Sequence, residues 1–146
     1  MSADARDTGV PADRHQWLQD LCAAEPVCIT ARGDCMAPLI EDGARLQVSP
    51  ARRYYPGDII VCRAANGSYL VHRLLGSARW RGSRQFVTRG DNNERVDGLV
   101  RAGGILGKVI GGDCDTRVIH VPAGHRLAAL GQFMRFALRR VSTPSG

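Results

Sequence analysis

The sequence predicts a mostly β fold of short antiparallel strands, with a short N-terminal helix and a C-terminal amphipathic helix. Three observations carry this. From Val27 onward, short β-rich runs are broken by Gly, Pro and Asn at close intervals. No alternating βα rhythm interrupts them. Apolar residues at helical spacing occur near the two ends.

Taking the elements in order, residues 1–12 read as a tail, and Asp13 is placed to cap a helix with Trp17, Leu18 and Leu21 on one face. Pro26 closes that helix. The segments 27–31, 44–48, 58–63, 69–75, 85–88, 105–110 and 117–121 are the predicted strands. Pro38, Asp42-Gly43, Pro56-Gly57, Asn66-Gly67 and Gly111-Gly112 supply turns, and Asn66-Gly67 is the clearest hairpin signal. At the C-terminus Leu127, Leu130, Phe133, Met134, Ala137, Leu138 and Val141 recur at helical spacing, with Arg126, Arg135, Arg139 and Arg140 on the remaining surface. Such a helix either packs its apolar side on the sheet or lies on a membrane or partner protein. The expected organisation is a tail and helix over 1–25, a β domain over 26–122, and a helix and tail over 123–146.

Composition narrows the function classes. The 146 residues are 44% hydrophobic and 23% charged, which suits one globular domain and excludes general disorder. Aromatics are only 5%, so the core is aliphatic. Twenty basic residues against fourteen acidic ones give +6. Only Lys108 among the basic residues is a lysine, so a lysine base has one candidate. The charge is spread along the chain, and no nucleic-acid partner is expected. Cys22, Cys28, Cys35, Cys62 and Cys114 are odd in number and form no CxxC pair. This argues against a disulfide framework or a cysteine-rich zinc site, and for a reducing compartment. No secretory leader and no bilayer-length apolar run is visible, so a soluble, cytoplasmic protein is expected. His120 and His125 flank a Pro-Ala-Gly turn without metal-site spacing, and no metal or cofactor is expected.

Three short segments carry candidate chemistry. Cys35 stands between Gly33, which permits an unusual turn, and Pro38, which prevents regular ladder pairing. In Val71-His72-Arg73 the histidine points opposite to its neighbours if the segment is a strand. Thr88-Arg89-Gly90-Asp91-Asn92-Asn93, followed by Asp97, reads alone as a polar turn. Each has a plain structural explanation. Their order, nucleophile then histidine then aspartate, gives them a joint one.

With Gly57-Asp58-Ile59-Ile60 and the late Gly107-Lys108-Val109, these segments make five in sequence, and together they resemble the S24/S26 peptidase superfamily of the signal peptidase I type. The resemblance spans residues 33–110. It implies the complex β fold of signal peptidases and SOS repressors, and a peptide-bond hydrolase. Some members use a lysine base and others a histidine; with His72 at the base position this chain resembles the histidine branch. There the resemblance gives Cys35 the nucleophile's position and Asp97 the task of orienting the imidazole. Asp91 either shares that task or holds the turn. Met36, Pro38 and Leu39, with Ile40, are similar to the substrate-facing apolar rim.

The chain departs from the pattern in three ways. Cysteine replaces the serine, the membrane anchor expected before the domain is missing, and Gly33 cannot supply an oxyanion-hole hydroxyl. A thiol beside an imidazole can exchange a proton to give thiolate and imidazolium, so cysteine keeps the chemistry available. Arg73 either guides an acidic or C-terminal group or is solvated. The remaining four cysteines read as buried small hydrophobes.

Three functions follow. The first is an endopeptidase with a Cys-His-Asp site acting on a peptide or protein precursor. The second is a degenerate peptide-binding module of the same fold. The third is a self-cleaving regulatory fragment, disfavoured because no helix-turn-helix precedes the domain and lysine is absent at the base position.

Overall fold

The computed structural model describes residues 11–64 and 67–142. Helix α1 spans Pro11–Ala24. Proline suits a first helical position, because its missing N–H has no intrahelical partner there. Asp13 therefore lies inside the first turn. The inward face is His15, Leu18 and Cys22, spaced i, i+3 and i+7, while Trp17 is 61% exposed. The expected face of Trp17, Leu18 and Leu21 is thus rotated. His15 explains the rotation: its ring bonds the Tyr69 hydroxyl at 2.7 Å and the Gly103 carbonyl at 2.7 Å, which pulls it toward the sheet.

Seven strands follow: β1 Val27–Thr30, β2 Arg45–Ser49, β3 Ile59–Arg63, β4 Tyr69–Trp80, β5 Ser83–Arg89, β6 Leu99–Arg101 and β7 Ile105–Gly112. They form one antiparallel sheet in the order β1-β2-β7-β3-β4-β5-β6. Six of the seven expected strands are present. The segment 117–121 is instead occupied by a short helix, α2 (Thr116–Ile119). Asp115 decides this, because its carboxylate accepts from the Arg117 N–H at 2.9 Å and so satisfies a donor of the first turn.

Two features escaped the sequence reading. Strand β6 is only three residues long, too short for a periodic signal. Strands β4 and β5 form a hairpin through Arg81-Gly82, whose φ values of 50° and 80° give a two-residue primed turn. Arginine is an uncommon occupant of that conformation. The expected Asn66-Gly67 hairpin includes residues 65–66, which lie outside the described residues; β3 and β4 on either side pair from Arg63 and Tyr69 inward.

Strand β3 lies mid-sheet and is buried on both faces. Ile59 and Val61 point to one side, joining Leu46, Val48, Leu106 and Val109. Ile60 and Cys62 point to the other, with Leu74, Phe86 and Ile105. Cys28, expected to be buried, is exposed on the edge strand β1, and Cys114 is half-buried.

Helix α3 (Ala123–Ser142) packs on β4 through Ala129, Phe133 and Phe136, against Leu75, Val87 and Leu99. Its fit is close: a Cβ on Gly76 would lie 2.5 Å from the Phe133 ring. Arg126 ties its start to the sheet, donating to Asp58 at 3.0 Å and to the Pro56 carbonyl at 3.1 Å. The apolar residues expected on one side are therefore divided. Phe133 packs inward, whereas Leu127, Leu130, Met134, Leu138 and Val141 are exposed. Among the described residues no helix is long and apolar enough to cross a membrane.

Candidate active site

The Cys35 turn is built by local hydrogen bonds. Gly33 adopts φ +84°, and its N–H donates to Asp42 at 2.9 Å. The Ala37 N–H then donates to the Asp34 carbonyl at 3.0 Å, and the Ile40 N–H to the Met36 carbonyl at 3.0 Å. The Ala37–Pro38 peptide is cis. Met36, Leu39 and Ile40 are buried and fix the turn to the core. This leaves Cys35 half-buried, with Sγ 4.0 Å from the Val71 carbonyl oxygen.

Val71 lies where β4 has a free edge. The pairing of β4 with β5 begins at Arg73 opposite Arg89, so residues 69–72 pair only with β3. After Arg89 the chain leaves the sheet and folds across this edge. Its loop is stitched to the Cys35 turn: the Asn92 N–H donates to the Cys35 carbonyl at 2.8 Å, the Asn92 side chain to the Asp34 carbonyl at 3.1 Å, and the Asp91 N–H meets the Met36 sulfur at 3.3 Å. Gly90 is required by this approach, since a Cβ there would stand 2.9 Å from the Cys35 carbonyl oxygen.

The same loop delivers a carboxylate to the histidine. His72 is buried on the face of β4 opposite Val71 and Arg73. Its Nδ1 is hydrogen-bonded to Asp97 Oδ2. Asp97 is itself held twice by Thr88, which is fully buried: the hydroxyl donates to Oδ2 at 2.9 Å, and the Asp97 N–H donates to the Thr88 carbonyl at 2.8 Å. A carboxylate at Nδ1 keeps the proton on that nitrogen, so Nε2 carries the free lone pair. Among the described residues Nε2 takes no protein hydrogen bond.

Asp91 is engaged elsewhere. Arg73 grips it with two bonds, Nε to Oδ1 at 2.7 Å and Nη2 to Oδ2 at 2.8 Å, and donates Nη1 to the Gly57 carbonyl at 2.8 Å. Arg73 is therefore buried and paired rather than solvated. Of the two possibilities for Asp91, the geometry matches holding the turn. Lys108 is no neighbour of this site. It pairs with Ile60, as His72 does from the other side, so two strand spacings, about 10 Å, separate their backbones.

The surroundings favour the Cys35 thiol over its thiolate. Burial pushes the Cys35 thiol up, and the charges of Asp34, Asp97 and Asp91 push the same way. Its own backbone N–H pulls down, without reversing the result. These surroundings disfavour the thiolate half of the thiolate–imidazolium pair that the sequence allows.

A cleft of about 90 Å³ opens beside Cys35. One wall is β1 and its extension, residues 29–33; the other is the free edge of β4, residues 69–71; Met36 and Ile40 form its base. Of the four residues expected to face substrate, Met36 and Ile40 reach the cleft from buried positions, Leu39 is absorbed by the core, and Pro38 is exposed without lining the cleft.

A model of the family described as Peptidase S24-like matches residues 4–87, more than half of the chain. The chain belongs to the Peptidase S24-like family. This S24-like chain carries Cys35 and His72 inside the matched segment, while Asp91 and Asp97 follow it. No curated protein matches it. Within its site, sequence reasoning assigned no role to Thr88, although the residue opens the Thr-Arg-Gly-Asp segment. It also assigned none to Tyr69, which joins the cleft wall to His15.

Proposed function

We propose that this S24-like protein is an endopeptidase in which Cys35 is the nucleophile, His72 the general base and Asp97 the residue that orients the imidazole. The observation that carries the reading is the Thr88–Asp97–His72 chain of hydrogen bonds. It leaves one ring nitrogen free to accept a proton, on the residue next to the carbonyl that Cys35 Sγ approaches.

The substrate is an extended segment of a peptide or protein precursor. Both cleft walls have unpaired strand edges, and an extended peptide adds to such edges through main-chain hydrogen bonds. The small cleft favours short side chains next to the cut. Because burial and the neighbouring carboxylates favour the thiol over the thiolate, the reaction is drawn as it would be with serine. His72 Nε2 takes the Sγ proton as sulfur bonds to the substrate carbonyl carbon. The Cys35 N–H, which lies beside its own sulfur, takes the role of oxyanion donor in this scheme. The intermediate collapses, the C–N bond breaks, and His72 gives its proton to the leaving amine. Water then adds to the thioester with His72 as base, releasing the acid and restoring the thiol.

Incubating the full chain with candidate precursor peptides and reading fragment masses tests this. One defined cleavage is expected, absent in Cys35→Ala and in His72→Ala. Cleavage unchanged by Cys35→Ala overturns the nucleophile. A second reading, a peptide-binding module without turnover, is favoured by the thiol's contact with a carbonyl rather than the imidazole. Saturable binding of the same peptides with no fragments would establish it.

A further inference from the structure

We propose that the outward face of helix α3 docks the protein on an anionic lipid bilayer, a property independent of any peptidase activity. Leu127, Leu130, Met134, Leu138 and Val141 follow one another at steps of three and four along α3 and are between 42% and 82% exposed. This stripe runs about 21 Å along the helix at 1.5 Å per residue. It lies roughly opposite Ala129, Phe133 and Phe136, which hold the helix to the sheet. The stripe is therefore surplus to the fold, and it is larger than scattered surface apolar residues explain.

The surroundings select the occupant. Helix α3 carries four arginines and no aspartate or glutamate. Arg135 and Arg139 are exposed on its flank and line, with Arg89 and Arg95, a cleft that runs beside the helix; Glu94 is the one acidic residue of that lining, so basic side chains outnumber it four to one. A second copy docking through the stripe would bring like charge against like. A bilayer with anionic headgroups supplies the opposite sign along the flank and hydrocarbon beneath the stripe. Near the C-terminal end of α3, Trp80 is 45% exposed and shares an apolar groove with Val141 and Ala137. Arg140 lies 5.3 Å over its ring. Tryptophan beside arginine is the pairing that favours the headgroup level of a membrane.

The test is co-sedimentation of the full chain with vesicles of phosphatidylcholine containing 30–40% phosphatidylglycerol, about as much as makes a strongly anionic surface, against phosphatidylcholine alone. Binding at least tenfold tighter to the anionic vesicles is expected. Leu130→Glu/Leu138→Glu should abolish it, and Arg135→Glu should weaken it several-fold, with circular dichroism unchanged because all three positions are exposed. In a Trp17→Phe background, Trp80 emission should shift to shorter wavelength on binding. The proposal is overturned by equal affinity for the two vesicle types. It is also overturned by no binding to either, or by a dimer in solution that the double variant dissociates.

Discussion

Asp97 and Thr88 are joined by two hydrogen bonds, one through the backbone and one through the side chain, and this pair fixes the carboxylate that faces His72. A loop residue thereby acquires the rigidity of the strand it contacts. The threonine is fully buried at the end of β5, so the aim of the imidazole is set by the sheet rather than by a mobile loop.

Asp97→Asn removes the charge and the preference for a proton on Nδ1. Single-turnover cleavage is expected to fall by roughly 10²–10⁴-fold with little change in peptide affinity. Thr88→Val, which keeps the shape and removes the hydroxyl, should lower the same rate by about fivefold, since it loses one hydrogen bond worth ~1 kcal/mol. A rate unaffected by Asp97→Asn would remove the aspartate from the mechanism.

Asp91 predicts the opposite balance. Replacing it with alanine leaves the buried Arg73 guanidinium without its partner and should cost about 2–4 kcal/mol in urea denaturation. Loss of cleavage should track loss of folded protein. An Asp91→Ala protein as stable as wild type would contradict the ion pair's structural role.

The alkaline limit of stability should depend on Cys62. Burial is the main cause that raises its thiol from 9.0 to about 12. Between those values the unfolded chain releases a proton that the folded chain keeps. Stability is therefore fully present below the usual thiol range and declines as pH rises, by up to ~1.4 kcal/mol per pH unit in that window. Urea midpoints at pH 8 and pH 10 should differ less in Cys62→Val than in wild type.

The contact of Gly76 with Phe133 supplies a test of packing. Gly76→Ala puts a methyl into the ring and should destabilise the protein by about 1–3 kcal/mol. Adding Phe133→Leu should recover part of the loss. Additive effects of the two changes in denaturant titrations would show that α3 is not seated where Gly76 lies.

The strands around Ile59, Tyr69 and Ile105 were legible because their β-rich runs sit between turn residues. The histidine's orientation was legible because strand alternation separates His72 from Val71 and Arg73. Region 117–121 was misread, since its Val-Ile-His-Val run looks extended while the decisive information lies two positions upstream of that region, in the capping carboxylate of Asp115. The division of α3 into an inner and an outer apolar face was not legible either. Spacing alone groups Phe133 with Met134 and Leu138; only the close approach at Gly76 selects the phenylalanine for the sheet. The resemblance preferred Asp97 to Asp91 for the imidazole but left a shared role for Asp91 open. Their separation depends on Arg73 and Thr88, which lie on opposite sides of the strand pair that the loop caps.

Strand β7, the last to be synthesised, occupies the slot between β2 and β3. Until residue 112 has cleared the ribosome, the earlier strands form two unjoined parts and their inner edges remain open. Assembly is consequently dominated by contacts remote along the polypeptide and slow to nucleate. A chain halted at residue 100 should be digested by added protease where one that includes β7 resists, and any hydrolytic power the molecule owns waits on that strand.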